Sequence, residues 1–473
     1  MSPIDYQNTK HCDLEYQELL FKTTDPEPTI ALFPVGDLLE DFLDSIGISF
    51  EAFCNEFVGS WMFGYVDALQ RVGVRTILFC FSAQVATVSR FTHKPTGATI
   101  CVLPPTRIYR GFRKLRRNSL KLYGASEGQS FKDIQDDNHL RRSLLTPIKD
   151  LAKSLGTYLS TPLNLLAREL ALEGCQAILC QEYEYARFDV CVLLGKLMRI
   201  PVFATFQGGD RTLSWLESPL RQLAFRGCTG VIIATQTEIQ RVCDRYQIPA
   251  FKIARIFNPL DVTSWQPISR QLAREMLNIP LDAKVVVWHG RVEINRKGLD
   301  ILLQAWQQLY DRGCGQDLRL LVIGTGSEAE RFQQQIDREQ LQGVMWLNEF
   351  VSDRTLIQKY LCAGDVYAFP SRKEGFPVAP IEAMSCCLPL VAAAAPGIPD
   401  ILEYGEDSGG IIVSREDAAA LATKLGEILD NPALGLKLGQ RARDRAITGF
   451  APEVIGKQLR DLLLTATRSQ TMC

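Results

Sequence analysis

Short apolar runs alternate along this chain with longer amphipathic segments. Runs at 30–33, 76–81, 177–180, 202–206, 231–234 and 253–257 read as strands, and a second series stands at 285–288, 318–323, 345–347, 366–369, 390–393 and 411–413. Runs rich in Val, Ile and Leu, with no polar alternation, are what strands covered on both faces show. The segments between them, such as 300–309 and 328–339, carry helical periodicity. This β-α-β rhythm predicts parallel sheets with helices on both faces. So many strands strain a single sheet but suit two. The expected class is therefore α/β, with two doubly wound Rossmann-like domains facing a cleft. Residues 258–267, NPLDVTSWQP, hold two prolines and no periodicity, and read as the linker. The expected domains are 1–265 and 266–445. In 446–473 a helix-like tail at 454–467 has no strand after it and is expected to dock back on the first domain.

Composition narrows this picture. A chain of 473 residues leaves room for two or three cores. Hydrophobic residues at 46% and charged residues at 22% are ordinary for a globular protein, and a net charge of -2 speaks against a general nucleic-acid binder. No apolar run is long enough to span a bilayer, and the first residues lack the basic-then-apolar pattern of a secretory signal. The 14 cysteines are scattered, without a C-x-x-C pair or metal-ligand spacing, which predicts reduced, mostly buried thiols in a cytoplasmic protein. One stretch departs from the even charge. Arg107, Arg110, Arg113, Lys114, Arg116, Arg117 and Lys121 lie within 102–126 with no acid among them, interleaved with Ile108, Tyr109, Phe112 and Leu115. It reads either as a solvated face or as a contact for anionic lipid headgroups, peripheral on the inner face of a membrane, or for a phosphorylated acceptor.

The candidate chemistry lies in the second half. EGFPVAPIE at 374–382 sets Glu374 and Glu382 eight positions apart, the first after an apolar run and the second in the first turns of a predicted helix. A strand, a Gly-containing turn and a helix start expose backbone N–H groups that suit an anion, while flanking carboxylates suit hydroxyls. That combination fits a ligand built of sugar, diphosphate and ribose. His289-Gly290-Arg291 ends another strand and Lys297-Gly298 follows, so one loop can aim a planar guanidinium and an ammonium at phosphate. Gly324 and Gly326 follow the next strand, where glycine lets a ligand approach the backbone. With Ala329 they also fit G-x-G-x-x-A, and Glu349 stands where a ribose-binding acid would. A nicotinamide-dependent oxidoreductase is thus a competing reading.

From about 253 to 409 these residues resemble the retaining glycosyltransferases of family 4, also called glycosyl transferases group 1, with the GT-B fold. The resemblance rests on WHGRVE at 288–293, RKGLD at 296–300, LVIGTGSE at 321–328, PSRKEGFPVAPIEAMS at 370–385 and LVAAAAPGIPDI at 390–401. In the first half, TFQGGD at 205–210 and NPLD at 258–261 are looser counterparts. The resemblance implies a hexosyl transfer from a nucleotide-diphosphate sugar to a hydroxyl of a glycan, lipid or small molecule, with no cofactor, no metal and no nucleic acid. It implies that Arg291, Lys297 and Glu374 serve catalysis. Donor binding would fall to Gly290, Arg291, Lys297, Gly324, Gly326, Glu374, Gly375, Phe376, Pro377, Val378 and Glu382. Of the turn, Phe376 and Val378 can offer N–H groups and Pro377 cannot. Gly36 and Gln207 would stand near the transferred sugar or the acceptor. The family commonly has histidine at the position of Gln207, and a small or apolar residue at that of His289. A noncatalytic nucleotide-sugar or glycan binder of the same fold is the other alternative.

Overall fold

The computed structural model describes residues 27–58, 62–111, 113, 156–208, 213–313 and 317–471. The first half builds eight strands: β1 (Thr29–Phe33), β2 (Arg75–Phe81), β3 (Ser89–Thr92), β4 (Thr99–Leu103), β5 (Cys175–Cys180), β6 (Val202–Thr205), β7 (Gly230–Ile232) and β8 (Ile253–Ala254). They form one sheet in the order β3-β4-β2-β1-β5-β6-β7-β8. All pairs are parallel except the β3–β4 hairpin. The second half adds β9 (Lys284–His289), β10 (Leu318–Ile323), β11 (Val344–Leu347), β12 (Val366–Phe369), β13 (Leu390–Ala393) and β14 (Gly410–Val413). Their order is β11-β10-β9-β12-β13-β14, parallel throughout. In each sheet the first strand lies inside, with the chain winding outward on both sides. The loops after β1 and β9 therefore leave from topological switch points, where doubly wound sheets open a crevice.

The apolar runs became strands because their side chains fill both faces. Val285, Val287, Leu321, Tyr367 and Phe369 bury on one face of the second sheet, and Val286, Trp288, Leu320, Val322 and Val366 on the other. Both strands of the β3–β4 hairpin escaped the sequence reading: β3 is largely exposed and carries no apolar run, whereas β4 is a short buried run that the reading passed over. Three runs end earlier as strands than the sequence suggests, among them 231–234, which ends at Ile232. The run at 202–206 ends at Thr205, and that at 253–257 ends at Ala254.

The domain limits need two corrections. Leu260, Val262 and Trp265 are buried in the core of the second domain, so the segment read as a linker is part of that core from Leu260 on. At the other end, helix Pro432–Phe450 runs straight through position 445, and the chain breaks at Ala451, which is extended and followed by Pro452. The physical reason is the same. Leu260 N–H donates to the Phe450 carbonyl at 2.9 Å, so both crossings are stitched together beside the second core. The last helix, Pro452–Thr471, packs on the first domain, with Ile455, Leu459 and Leu463 fully buried among Phe63, Val66, Leu69 and Ile30.

Contacts across the cleft are specific. Arg255 reaches Asp400 at 3.0 Å and Glu403 at 2.9 Å, and the Gln236 N–H donates to Asp400 at 2.9 Å. The rings of Phe257 and Phe376 stack with centroids 5.4 Å apart. The described cysteines are all free and mostly buried. Among the described residues no helix is long and apolar enough to cross a membrane. Of the basic run, Lys114, Arg116, Arg117 and Lys121 lie outside the described residues. Arg113 is engaged with Asp41 at 2.6 and 2.8 Å, and Arg110 donates to the Val85 carbonyl.

Candidate active site

Three loops converge from the carboxyl ends of β9, β10 and β12. The β9 loop turns at Gly290 and enters the short helix Ile294–Lys297, whose first N–H is capped by the Glu328 carboxylate at 2.7 Å. Gly298 ends that helix in the left-handed region, φ +64, where a Cβ would lie 2.1 Å from the Pro370 carbonyl oxygen. Only glycine lets the two loops touch so closely. The β12 loop is then clamped on the β9 loop. The Arg372 guanidinium forks onto Asp300 with two bonds of 2.7 Å, and the Arg372 N–H donates to the Arg296 carbonyl at 3.0 Å. This clamp carries Glu374 onto Lys297.

Lys297 Nζ donates to both carboxylate oxygens of Glu374, at 2.8 and 3.1 Å. The Glu374 side chain is 7% exposed and that of Lys297 19%. Glu382 lies in the first turn of helix Ala379–Ser385, and the His289 Nε2 meets its Oε2 at 2.9 Å. The two carboxylates of the EGFPVAPIE segment are thus each paired with a nitrogen-bearing side chain from β9 or its loop. Arg291 differs. Its side chain is 71% exposed and stands 3.5 Å from Glu293, so it has not joined Lys297 on one point as the loop spacing suggests. It is the exposed cation of the pair, a long chain with one weak ion-pair partner among the described residues.

The turn between the acids is fixed by packing. Phe376 stacks on Phe257, and Pro377 Cδ lies where a Cβ on Gly397 would come within 2.7 Å. Phe376 and Val378 side chains pack against the second core, which leaves the turn's backbone as its polar surface. Gly375 faces the other domain. A Cβ there would sit 2.7 Å from the Cα of Gly208, which itself has φ +95. The two domains meet backbone to backbone at this point.

Gly324 and Gly326 have a different reason to be glycine from the one expected. A Cβ on Gly324, φ +126, would stand 2.0 Å from the Gly290 carbonyl oxygen, and one on Gly326 would stand 2.3 Å from that of Val292. The close approach is to the neighbouring loop of this chain. It gives both glycines a structural reason beside the ligand approach that the sequence suggests. It also removes the support for a dinucleotide fingerprint, which stands on the first strand of a sheet, whereas this segment follows β10 beside the central β9.

Two expected contacts on the first domain are turned inward. Gln207 Nε2 donates to Thr205 at 2.9 Å, and its Oε1 accepts from Asn258 Nδ2 at 3.1 Å; Asn258 in turn accepts from the Tyr65 hydroxyl at 3.0 Å. The Gln207 N–H donates to Glu182 at 3.0 Å. The amide therefore serves this network. Gly36, φ +96, sits in the loop after β1, and its carbonyl accepts from the buried Arg187 at 2.6 Å, whose guanidinium lies 4.3 Å over the Phe81 ring. Arg187 and Glu182 were missed from the sequence, where nothing distinguishes them from other charges. Among the described residues no group of three or more His, Cys, Asp or Glu could hold a metal ion.

Two Rossmann-like domains, each with its switch point turned toward a shared cleft, define the GT-B fold, and similar solved structures share it. HepE of Anabaena, solved with UDP, superposes with a TM-score of 0.63 at 17% identity, covering 93% of this chain and 100% of that one. Sucrose-phosphate synthase from Thermosynechococcus elongatus gives 0.61 at 19%, with the same coverage. Residues 283–431 match the family model described as Glycosyl transferases group 1. Among curated relatives, D-inositol 3-phosphate glycosyltransferase of Corynebacterium jeikeium is 30% identical over 227 residues, 46% of this chain and 52% of that protein. The putative colanic acid biosynthesis glycosyltransferase WcaL of Salmonella typhimurium is 32% identical over 178 residues, 36% of this chain and 42% of that protein. The chain spans about half the length of the curated relatives it matches.

Proposed function

We propose that this protein is a retaining glycosyltransferase that moves a sugar from a nucleotide-diphosphate donor to an acceptor hydroxyl. The observation that carries the reading is the pair of clefted carboxylates, Glu374 on Lys297 and Glu382 on His289, flanking one glycine-containing turn. The names of the relatives support it, as do the bound ligands of HepE, which was solved with UDP and with UDP-glucose.

The chemistry follows from charge. As the bond from sugar to phosphate breaks, negative charge grows on the departing diphosphate and positive charge on the sugar. Lys297 is the cation that neutralises the former, and the exposed Arg291 swings onto it once the donor is bound. Donors aimed at developing charge usually supply the largest catalytic term. Two side-chain cations remove the need for a metal at this step. Glu374 accepts bonds from hydroxyls of the transferred sugar, and Glu382 from the ribose. The acceptor enters from the first domain, beside Gly36.

Incubation with UDP-, GDP- and ADP-sugars tests the proposal. Hydrolysis or transfer of at least one, with the anomeric configuration retained, is expected; inversion or complete inertness overturns it. In the same assay Glu382→Ala should weaken nucleotide binding by about ten- to a hundredfold, the worth of a hydrogen bond to a charged group. An unchanged affinity would remove Glu382 from the donor site.

One observation favours a second reading, a noncatalytic nucleotide-sugar binder. Gln207, at the position where the family commonly has histidine, is committed to Asn258 and Thr205. Tight binding with neither hydrolysis nor transfer is the result that reading expects.

The proposal extends to location. The acid-free run at 107–121 is suited to anionic headgroups, which would bring the cleft to a lipid-borne acceptor. Flotation with phosphatidylglycerol-rich vesicles should carry the protein up, and Lys114, Arg116 and Arg117→Glu should abolish this. A parent protein that never floats would show that the run has another purpose.

A further inference from the structure

We propose that His289 is a positioning residue for nucleotide recognition: it fixes the Glu382 carboxylate in the orientation that reads the ribose. The inference rests on the donor site proposed above and adds a residue that its motifs do not assign.

Three observations converge on it. The His289 ring is 7% exposed and held on one side by the ring of Tyr367, edge to face with centroids 5.4 Å apart. The Tyr367 hydroxyl donates to the His289 carbonyl at 3.2 Å, which pins the backbone from which the ring projects. The orientation of the imidazole is therefore set by packing before any ligand arrives. Second, Nε2 meets Glu382 Oε2 at 2.9 Å, and a carboxylate can only accept, so Nε2 carries the proton. Third, Nδ1 is buried and has no hydrogen-bond partner among the described residues.

The third observation decides between structure and function. Position 289 ends β9, where Val285, Val286, Val287 and Trp288 are all fully buried and apolar. A valine or phenylalanine would satisfy that environment. An imidazole with one unpaired buried nitrogen costs about 1–3 kcal/mol instead. Its single polar contact among the described residues goes to the acid that faces the cleft. With one oxygen of Glu382 held by His289, the rotation of the carboxylate is fixed and the other oxygen is left for the ligand. A carboxylate held in place binds a pair of vicinal hydroxyls without first losing its own rotational freedom, which is how support from a neighbouring residue raises affinity.

The test measures discrimination, which a merely structural role leaves alone. UDP, GDP and ADP are titrated into the full chain, each beside its 2′,3′-dideoxy counterpart. The protein is expected to prefer the ribonucleotide by about ten- to a hundredfold for at least one base. In His289→Phe, which keeps an aromatic ring and removes the donor, that preference should fall close to unity. Affinity for the dideoxy form and the melting temperature should hold. His289→Gln, which restores an N–H, should recover part of the preference. A full preference in His289→Phe overturns the proposal and leaves the role of Glu382 intact. A wild-type protein with no preference for any ribose overturns both. Equal loss for both forms of the nucleotide, with a lowered melting temperature, would assign His289 to packing and also overturn it.

Discussion

Lys297→Met is expected to lower the transfer rate by about a hundred- to a thousandfold and the stability by about 3–5 kcal/mol. The two effects have one origin. The Glu374 side chain is 7% exposed and both its oxygens lie within 3.1 Å of the Lys297 ammonium. Without that cation a carboxylate is left buried and uncompensated, and it will take up a proton or drag water into the site. The diphosphate loses the cation that neutralises it as it leaves. The two effects separate in a second variant. Lys297→Met combined with Glu374→Gln should regain most of the stability, because no charge remains to be compensated, and should regain none of the activity. Urea titration and the donor-panel rates read the two quantities independently. Full activity in Lys297→Met would remove the residue from the catalytic set.

Gly375→Ala is expected to reduce turnover by about a hundredfold while leaving the melting temperature nearly unchanged. The added methyl would lie 2.7 Å from the Gly208 Cα and 3.4 Å from its N–H nitrogen. Both are backbone atoms of the facing domain, so no flexible side chain can give way, and the domains themselves must part. A shift of about 1 Å between groups that must meet in the reaction costs about two orders of magnitude. Neither core contains this contact, so unfolding should hardly register the change. Nucleotide binding to the second domain should persist, with the loss confined to kcat. An unfolded or fully active variant would each contradict the cleft geometry described here.

How far the sequence carried these results is clearest in particular residues. The β-α-β rhythm, the loops at 289–298 and 370–382 and the acids at 374 and 382 were legible, because each depends on near neighbours. Glycine at 324 and 326 was legible as a requirement but not in its cause, since the crowding atoms belong to Gly290 and Val292. Gln207 was legible as a departure from the family, yet its commitment to Asn258, 51 residues away, was not. The same is true of His289 with Glu382, 93 residues apart, and of Arg187 with Gly36, 151 apart. Hairpin β3 was hidden for another reason: an exposed edge strand has no buried face to impose a period on its residues.

The amino-acid order alone determined most of the segments that become strands and helices, that they wind into two largely parallel sheets, and which loop carries which charge. Those are decided by periodicity and by local turn chemistry, and both act over a few residues. Only the tertiary structure decided who partners whom: Lys297 with Glu374, His289 with Glu382, Gly375 against Gly208, and Arg291 left in solvent. Such pairings arise where loops from separate strands meet at the switch points, and no local pattern encodes the angle at which two loops arrive.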